Sequence, residues 1–536
     1  MKNTAFVALY YFRCVFGVGA AIMLALVGAR VAAAQSNALA PGTVHLTPAS
    51  VTLADGREVA YEEGLLFVPE NRRAEDSRVV AVRFRRFPAQ KGADGPPVFY
   101  LPGGPGSTLD QEELASEKGR EIVDFFTKVG DLVVVDQRGN PNVAAPFIPK
   151  MEMHVSGVPL DQPGDPAAMK KANRDAFTAA LERWRARGVD LAGYDIFNTV
   201  DDVDDLRAAL GYDRLILRGN SFGSQWSFAY MKRHPERVAR AMLGGVEPLN
   251  RAYDRPADVW AAHRRIARLA ENDPDLRGAL PEEGLIPAIR GLLDRLEEDP
   301  VRVTIPRPEP APPGMSDSVT VVLGRYDLQQ ALKKFAPDYY TREGLQTWPR
   351  FILEMLGGDF RYLAALTVGR RQADRTPLIF PLIDNSLGIT AARDRRLRRD
   401  SAKAMVGPIN SFYYATRDLS PTPGVGDAFR TGLAEVQVPV LMIQGDLDRS
   451  TPVENALHID EVLPNSHLLY VENGTHMAIR ELRQFCPEVT AEVLEFLKTG
   501  SFEGLPVRVA LPPPDFERPG AGRLYEQFAG DARIPE

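Results

Sequence analysis

The stretch Gly219-Asn220-Ser221-Phe222-Gly223 lies directly after an apolar run at 215–217 and directly before a helix-like run at 225–233. A serine in the pattern G-x-S-x-G between a strand and a helix is typical of a nucleophile elbow. Side chains two positions before or after the serine would collide with the strand or the helix, which accounts for the glycines. The turn lifts the Ser221 oxygen clear of the sheet, towards the first amides of the helix. On its own the pattern also fits a glycine-rich turn without a catalytic serine. The choice between these two interpretations depends on the rest of the chain.

The length and composition of the chain limit the classes of protein to which it can belong. The chain has 536 residues, too many for one small core, and this length indicates two or more folding units. Hydrophobic residues make up 44% and charged residues 25%, which is ordinary for a globular protein with a large core. The formal net charge of −7 argues against nucleic acid as a partner. The oligomeric state is left open.

The first 34 residues have the pattern of an export signal. Positive charges precede an apolar segment at 15–27, and Ala32-Ala33-Ala34 offers small residues for cleavage. The apolar segment is shorter than the roughly 20 residues that cross a bilayer as a helix. We therefore predict an exported protein, periplasmic or secreted, without a stable membrane span after signal removal. Arg30 departs from the pattern, so an uncleaved amino-terminal membrane anchor stays open as an alternative.

Cysteines are scarce. Cys14 lies in the predicted signal, and Cys486 would be alone in the mature chain, so no intrachain disulfide is predicted. An exported chain without disulfides must be held together by its core, which this length allows.

Strand-like and helix-like runs alternate, which predicts an α/β protein with a mostly parallel sheet and crossover helices. Residues 131–136 form an apolar run continuous enough to be covered on both faces. Helices are predicted at 199–210 and at 490–498. The other predicted strands are 79–84, 97–101, 215–217, 239–243, 438–443 and 467–471.

Between about residues 248 and 434 the strand pattern lapses. A proline-rich piece at 305–313 predicts an extended linker or loop, and a helical insertion here would cover the carboxyl ends of the strands as a lid. Amphipathic helices are predicted in it at 259–270, 285–296, 326–335 and 345–356. The predicted organisation is a signal peptide at 1–34, the first part of the core at 35–247, a helical cap at 248–434 inserted after the sixth strand, the second part of the core at 435–510, and a tail at 511–536 that is loose or wraps the surface.

Serine chemistry needs a base that accepts the hydroxyl proton and an acid that orients this base. In the chain order serine, acid, histidine, three of the seven histidines come late enough. His476 follows the last predicted strand, in a loop that would reach the top of the sheet, and is our predicted base. His467 begins that strand at the opposite end, and His458 lies in a helix-like run.

The acid should follow the preceding strand, where two aspartates stand close together. Asp448, three residues after Gly445 and three before Thr451, has the spacing expected of the acid. Asp446 is the alternative, although an acid at its position more often caps the loop.

The oxyanion hole needs two backbone amides. We predict the amide of Phe222 and one from the loop after the strand at 97–101, with Gly104 as its donor. The glycines of this loop allow close approach of the backbone, and Pro105 stiffens it. A phosphate cradle is the competing interpretation, but no lysine follows at the Walker spacing. No metal and no organic cofactor is predicted.

Together these pieces resemble the prolyl iminopeptidase family of serine peptidases, which has the α/β-hydrolase fold. The motifs that carry the resemblance are, in chain order, Pro102-Gly103-Gly104-Pro105-Gly106, Asp136-Gln137-Arg138-Gly139, Gly219 to Gly223, Asp448 and His476. Pro102 stands where smaller members have histidine, and is similar to the tripeptidyl aminopeptidase branch. That branch often has a second late cysteine, which is missing here, so Cys486 is expected to be a free, buried thiol.

The resemblance implies cleavage of short peptides from a free amino terminus, with the lid excluding large substrates. Such an enzyme needs carboxylates that bind the ammonium group. Glu247 is well placed for this at the hinge of the lid, and Asp254 is a weaker choice. The competing interpretation is structural, because Arg251 and Arg255 are close enough in sequence to neutralise these acids.

Three functions compete on this sequence. The leading one is an exported serine aminopeptidase with an acyl-enzyme on Ser221. A carboxylesterase could use the same triad and oxyanion hole, because one fold hosts both chemistries. A non-catalytic binding protein is the remote alternative.

Overall fold

The computed structural model describes residues 40–139, 151–307, 316–336, 339–372, 374–518, 520 and 523–528. The predicted signal peptide, with Cys14 and the alternative membrane anchor, lies outside these residues. Within the described ranges, no helix combines the length and the apolar character needed to cross a membrane.

The strands are β1 (Val44–Thr52), β2 (Glu58–Pro69), β3 (Val79–Phe87), β4 (Val98–Leu101), β5 (Leu132–Val135), β6 (Glu152–Val155), β7 (Leu215–Asn220), β8 (Val238–Gly244), β9 (Val301–Pro306), β10 (Ser318–Leu323), β11 (Asp374–Pro377), β12 (Val440–Gly445), β13 (Ser466–Glu472) and β14 (Arg508–Ala510).

A ten-stranded sheet forms the centre of the molecule, in the order β1-β2-β3-β5-β4-β7-β8-β12-β13-β14. Neighbouring strands are parallel from β5 onwards in this order, whereas the pairs from β1 to β5 are antiparallel. The sheet is therefore mostly parallel, as predicted.

Helices cover both faces of this sheet. Strand β5 demonstrates this, because Val133 and Val135 belong to one apolar cluster while Leu132 and Val134 belong to another.

The α-helices are Gln111–Ala115, Glu117–Phe126, Pro166–Arg185, Ile196–Ala209, Phe222–Arg233, Pro256–Asn272, Leu285–Glu298, Arg325–Lys333, Arg342–Gln346, Trp348–Leu356, Arg361–Gln372, Ile379–Leu387, Ala391–Arg398, Lys403–Val406, Ser411–Thr416, Asp427–Thr431, Val453–Val462, Ala478–Phe485, Pro487–Thr499 and Leu524–Phe528, with 3₁₀ turns at Leu191–Gly193, Pro235–Arg237 and Leu433–Glu435.

The region between β8 and β12 differs from the predicted helical cap in several respects. It is mainly helical, but it also contains the antiparallel pair β9–β10, and β11 pairs with β6. The proline-rich piece predicted as a linker begins within β9, and its residues 308–315 lie outside the described ranges. The helix predicted at 345–356 is two helices that meet at Thr347, because Pro349 has no amide hydrogen for the bond to the carbonyl of residue 345.

The insertion follows the seventh strand of the central sheet rather than the sixth. Neither β1 nor β2 was among the predicted strands; β1 is an edge strand that pairs antiparallel with β2 over its whole length. Its side chains are mostly exposed, so the apolar run that marks the other strands is missing.

The carboxyl-terminal tail packs on the cap within its described part. Phe516 and Leu524 are buried in the apolar cluster that the cap helices form. Cys486 is buried and unpaired among the described residues, as predicted.

Candidate active site

Ser221 stands in the sharp turn between β7 and the helix Phe222–Arg233. Its backbone has a φ of 58° and a ψ of −130°, a conformation that non-glycine residues seldom adopt. A Cβ on Gly219 would lie 2.1 Å from the carbonyl oxygen of Gly223, and a Cβ on Gly223 would lie 2.1 Å from that of Leu101. Close backbone approach therefore requires both glycines, and the strained turn fixes Ser221 at the carboxyl end of β7.

His476 and Asp448 lie in the loops after the neighbouring strands β13 and β12. Nδ1 of His476 is 2.7 Å from Oδ2 of Asp448, and both side chains are buried. The alternative acid, Asp446, instead accepts hydrogen bonds from the amide of Asn473 at 2.9 Å and from the hydroxyl of Tyr470 at 3.1 Å. The fold thus brings Asp448 rather than Asp446 to His476.

Four donors besides His476 surround the Asp448 carboxylate. Its Oδ1 accepts from the amides of Ser450 at 2.8 Å and Thr451 at 2.9 Å. Its Oδ2 accepts from the Thr451 hydroxyl at 2.7 Å and from Nε2 of Gln444 at 3.0 Å. Burial raises the pKa of Asp448, but His476 and the Thr451 hydrogen bonds outweigh burial and hold the pKa below its ordinary value. The carboxylate is therefore ionised at neutral pH and keeps a proton on Nδ1 of His476.

His476 also lies beside Ser221. A Cβ on Gly245 would be 2.7 Å from Cε1 of His476 and 3.0 Å from the amide nitrogen of Ser221. Nε2 of His476 is 3.4 Å from the side-chain nitrogen of Asn220. Among the described residues Ser221 Oγ forms no hydrogen bond to His476, and such bonds in unliganded sites often tighten only when substrate binds.

The loop after β4 lies against the serine. A Cβ on Gly103 would be 3.3 Å from Cβ of Ser221 and 3.9 Å from its Oγ. Gly103, predicted only as part of the motif at 102–106, is thus in close contact with Ser221. The amide of Gly104 has no acceptor within the described part of the chain, and Phe222 opens its helix, so its amide has no intrahelical acceptor. Neither predicted donor is therefore bonded to an acceptor among the described residues.

Gln137 braces this loop from inside the fold. Its Oε1 accepts from the amide of Gly106 at 2.6 Å, and its Nε2 donates to the carbonyl of Gly103 at 2.9 Å. These bonds fix the backbone on both sides of Gly104. From the sequence, Gln137 was recognised only as part of the motif at 136–139, and its hydrogen bonds to the loop after β4 were not predicted.

Three carboxyl groups where the cap joins the core, Glu247, Asp254 and Asp384, are here called the acidic cluster. They lie close enough together for Asp254 and Asp384 to raise the pKa of Glu247, and for Asp254 to raise the pKa of Asp384. The amide of Glu247 donates to Oγ of Ser224 at 2.8 Å, and this hydroxyl donates to the carbonyl of Ser221 at 2.7 Å. Glu247 is therefore one hydrogen-bonded side chain away from the serine backbone.

The acidic cluster is only partly neutralised. Lys333 forms an ion pair with Asp254, whereas Glu247 and Asp384 form no ion pair within the described ranges. Burial, together with Asp384 and Asp254, raises the pKa of Glu247 well above its usual value. Burial also raises the pKa of Asp384 to about 8, although a hydrogen bond from Tyr413 opposes this rise. Two carboxyl groups thus have no direct ion-pair partner among the described residues, although the nearby Lys333 ammonium acts to lower the pKa of Glu247.

The arginines that competed for Glu247 are engaged elsewhere. Arg255 lies 3.0 Å from Asp258, and Arg251 donates to the side-chain oxygen of Asn455 at 2.8 Å. Asp384 and Lys333 were not predicted, because both come from the cap, far from Glu247 in sequence. Among the described residues no group of His, Cys, Asp or Glu side chains is arranged to hold a metal ion.

Comparison with known proteins agrees with this architecture. Residues 96–268 match the family model described as alpha/beta hydrolase fold, and residues 413–506 match the one described as TAP-like protein. With the mostly parallel sheet and the serine elbow, the first match establishes that the chain has the α/β-hydrolase fold.

The curated relatives that match include the serine protease Hip1 of Mycobacterium tuberculosis strain H37Rv, 28% identical over 280 residues. This alignment covers 48% of the chain and 51% of the relative, so the chain spans about half the length of the curated relatives it matches. The same figures hold for the serine protease Hip1 of Mycobacterium bovis.

Solved structures that match include a serine hydrolase from Cycloclasticus zankles, with a TM-score of 0.32 and 13% identity, covering 85% of this chain and 98% of that one. A bacterial membrane phospholipase A matches with a TM-score of 0.34 and 16% identity, covering 93% of this chain and 99% of that one.

Proposed function

We propose that this chain is an exported serine aminopeptidase that releases proline, small residues or short peptides from the free amino terminus of peptides. The observation that carries the proposal is the acidic cluster beside the Ser221, Asp448 and His476 set. Glu247 and Asp384 have no ion-pair partner among the described residues, and their raised pKa values mean that ionising them costs free energy until a ligand supplies a positive charge. The ammonium group of a peptide is such a ligand.

The proposed reaction follows from the positions of the three residues. Nε2 of His476 accepts the Ser221 proton while Oγ forms a bond to the peptide carbonyl carbon. The resulting oxyanion is held by the amides of Phe222 and Gly104. His476 then gives its proton to the leaving nitrogen, the peptide bond breaks, and an ester to Ser221 remains. Water, deprotonated by His476, hydrolyses this ester and regenerates the serine.

Glu247 and Asp384 are the groups proposed to bind the ammonium. Asp254, the weaker choice on sequence, already pairs with Lys333. Glu247 comes from the core next to the serine, and Asp384 comes from the cap helix Ile379–Leu387. A site formed by core and cap together would require a short, free amino terminus between them.

The comparisons support a peptidase without fixing its type. The chain resembles the prolyl iminopeptidase family, and the TAP-like match at 413–506 favours its tripeptidyl aminopeptidase branch. The relative Hip1 is named as a serine protease. Export is proposed from the signal pattern at 1–34, and amino-terminal sequencing of the secreted or periplasmic protein, with cleavage expected after Ala34, tests it.

A carboxylesterase remains the rival, because the same triad serves esters. A neutral ester has no use for uncompensated carboxyl groups near the scissile bond, so the acidic cluster favours the peptidase. A non-catalytic binding protein is less well supported, because the hydrogen bonds around Asp448 orient His476 as a base.

The deciding variant is Glu247→Gln, which removes one ionisable group and keeps the size of the side chain. It should lower kcat/KM for free-amine peptide anilides far more than for amino-blocked esters. Asp258→Asn is the matched control, because Asp258 lies at the same hinge but pairs with Arg255. Equal losses on both substrate classes would assign Glu247 a structural role.

A further inference from the structure

Arg449 directly follows Asp448, yet its side chain reaches into the cap. Its guanidinium donates to the carbonyl oxygens of Leu332 at 3.2 Å and Lys333 at 3.4 Å. It also donates to the carbonyl oxygen of Tyr339 at 2.6 Å. Arg449 lies in the loop 446–452, here called the acid loop because it carries Asp448. The Arg449 side chain is thus bonded to both ends of a short stretch of the cap, residues 332–336 and 339, here called the cap segment.

The helix Arg325–Lys333 ends at two of these carbonyls. The last carbonyls of a helix lack intrahelical donors and carry the negative end of its dipole, so a cation is favoured there. The guanidinium also lies 4.4 Å from the ring centroid of Phe335. Burial lowers the pKa of Arg449 to about 10, which still leaves it charged at neutral pH. These fixed partners make the contact rigid.

The same cap segment delivers two side chains to the candidate active site. Lys333, at its start, pairs with Asp254 of the acidic cluster. Tyr340, directly after it, packs on His476 with ring centroids 4.9 Å apart and planes inclined by 34°. The carbonyls that Arg449 binds therefore set the positions of both residues.

On the core side, Arg449 lies within the turn that holds the catalytic acid. The two residues after it, Ser450 and Thr451, provide the amides that bind Oδ1 of Asp448. A shift of the Arg449 backbone would therefore displace these amides and tilt the carboxylate that faces His476.

We propose that Arg449 is a positioning residue that couples the seating of the cap to the orientation of Asp448 and His476. With the cap seated, Arg449 is bonded to all three carbonyls and the acid loop is held in its working geometry. If the cap moves away from the core, Arg449 loses these three hydrogen bonds. The acid loop is then no longer held in place, and Asp448 and His476 lose their alignment. The inference rests on the proposed function for its chemistry, although the coupling itself is a property of the fold.

The first test is the rate at which a small fluorophosphonate labels Ser221, which reads the competence of the triad without any peptide. Arg449→Met should slow labelling by about tenfold to a hundredfold, as expected for a displaced catalytic group. Arg449→Lys keeps the charge but cannot span three carbonyls, and should recover part of the rate. Should Arg449→Met fail to fold, Arg449→Lys carries the same comparison.

The matched control is Arg371→Lys. Arg371 is as buried as Arg449 and donates to the carbonyls of Pro159 and Gln162. It also pairs with Asp327 at the start of the helix Arg325–Lys333, but it makes no hydrogen bond or ion pair to the described residues of the acid loop. Its variant should lose stability and still label at the wild-type rate. Wild-type labelling by Arg449→Met, or equal slowing by Arg371→Lys, would overturn the proposal.

Amide hydrogen exchange tests the coupling independently of activity. Arg449→Met should raise exchange both in the cap segment and at 446–452, whereas Arg371→Lys should leave 446–452 protected. Faster exchange confined to the cap would contradict the coupling. A wild-type protein that no phosphonate labels would contradict the proposed function instead, and the exchange comparison would still decide the role of Arg449.

Discussion

The side-chain nitrogen of Asn220 lies 3.4 Å from Nε2 of His476, the ring nitrogen that must accept the serine proton. An amide donor at this place leaves Nε2 unprotonated and directs the ring proton to Nδ1, which faces Asp448. The residue before Ser221 thus helps to set the tautomer of the base.

Replacing Asn220 by aspartate should shift the pH dependence of turnover. A carboxylate beside Nε2 favours the protonated ring, which cannot act as a base, so the acid limb of kcat/KM should move up by about one pH unit. The control is Asn220→Ala, which removes the donor without adding charge and should therefore move the acid limb up by less than Asn220→Asp does. An unchanged limb in Asn220→Asp would mean that His476 is not the base.

The hydroxyl of Thr451 supports the dyad from the side. It donates to Oδ2 of Asp448 at 2.7 Å and lies 3.1 Å from Nδ1 of His476. Thr451→Val keeps the shape and the backbone amide but removes this hydroxyl, so kcat should fall by about tenfold, the usual size for a hydrogen bond to a charged group. Ser450→Ala is the control, because the described contact of Ser450 with Asp448 is made by its backbone, and its kcat should stay near the wild-type value.

Peptides and esters should differ in the pH dependence of KM. Asp384, whose pKa burial raises to about 8, is neutral below that pH and binds an ammonium group poorly. Its ionisation with rising pH should lower KM for free-amine peptides, until the peptide amine itself loses its proton near about pH 8. Asp384→Asn should abolish the decrease of KM for free-amine peptides with rising pH. KM for esters should not change with pH in either protein. A flat KM for free-amine peptides would argue against a role for Asp384 in binding.

Gln137 should matter for transition-state stabilisation rather than for binding. Gln137→Leu removes both hydrogen bonds that fix the backbone around Gly104, so kcat should drop by about a hundredfold, as when an oxyanion donor is misplaced, with a smaller change in KM. Steady-state kinetics on a short aryl ester measures this directly. A change confined to KM would place Gly104 outside the oxyanion hole.

Local patterns predicted most of the core. The elbow at Ser221 and the apolar run at 131–136 are recognisable because their residues are adjacent in sequence. Strand β1 has mostly exposed side chains at the sheet edge, and in β9 only Ile305 is buried. Both strands therefore lack the apolar run on which sequence reasoning depends.

The residues of the candidate site also differ in how far the sequence could predict them. Ser221, Asp448 and His476 were singled out because each follows a recognisable strand. Asp384 and Arg449 gained their roles only through packing of the cap on the core, which no sequence spacing reveals. Gln137 lies between these cases, because its motif was recognised but its partners were not.

Turnover of a matched substrate panel by purified protein tests the central claim most directly, with Ser221→Ala as the folded, inactive control. The panel pairs free and amino-blocked prolyl, alanyl and tripeptidyl anilides with short-chain aryl esters. We predict that free-amine anilides are cleaved and their blocked counterparts are not, with all activity lost in Ser221→Ala. Turnover of esters alone would contradict the aminopeptidase and leave the acidic cluster without its proposed ligand.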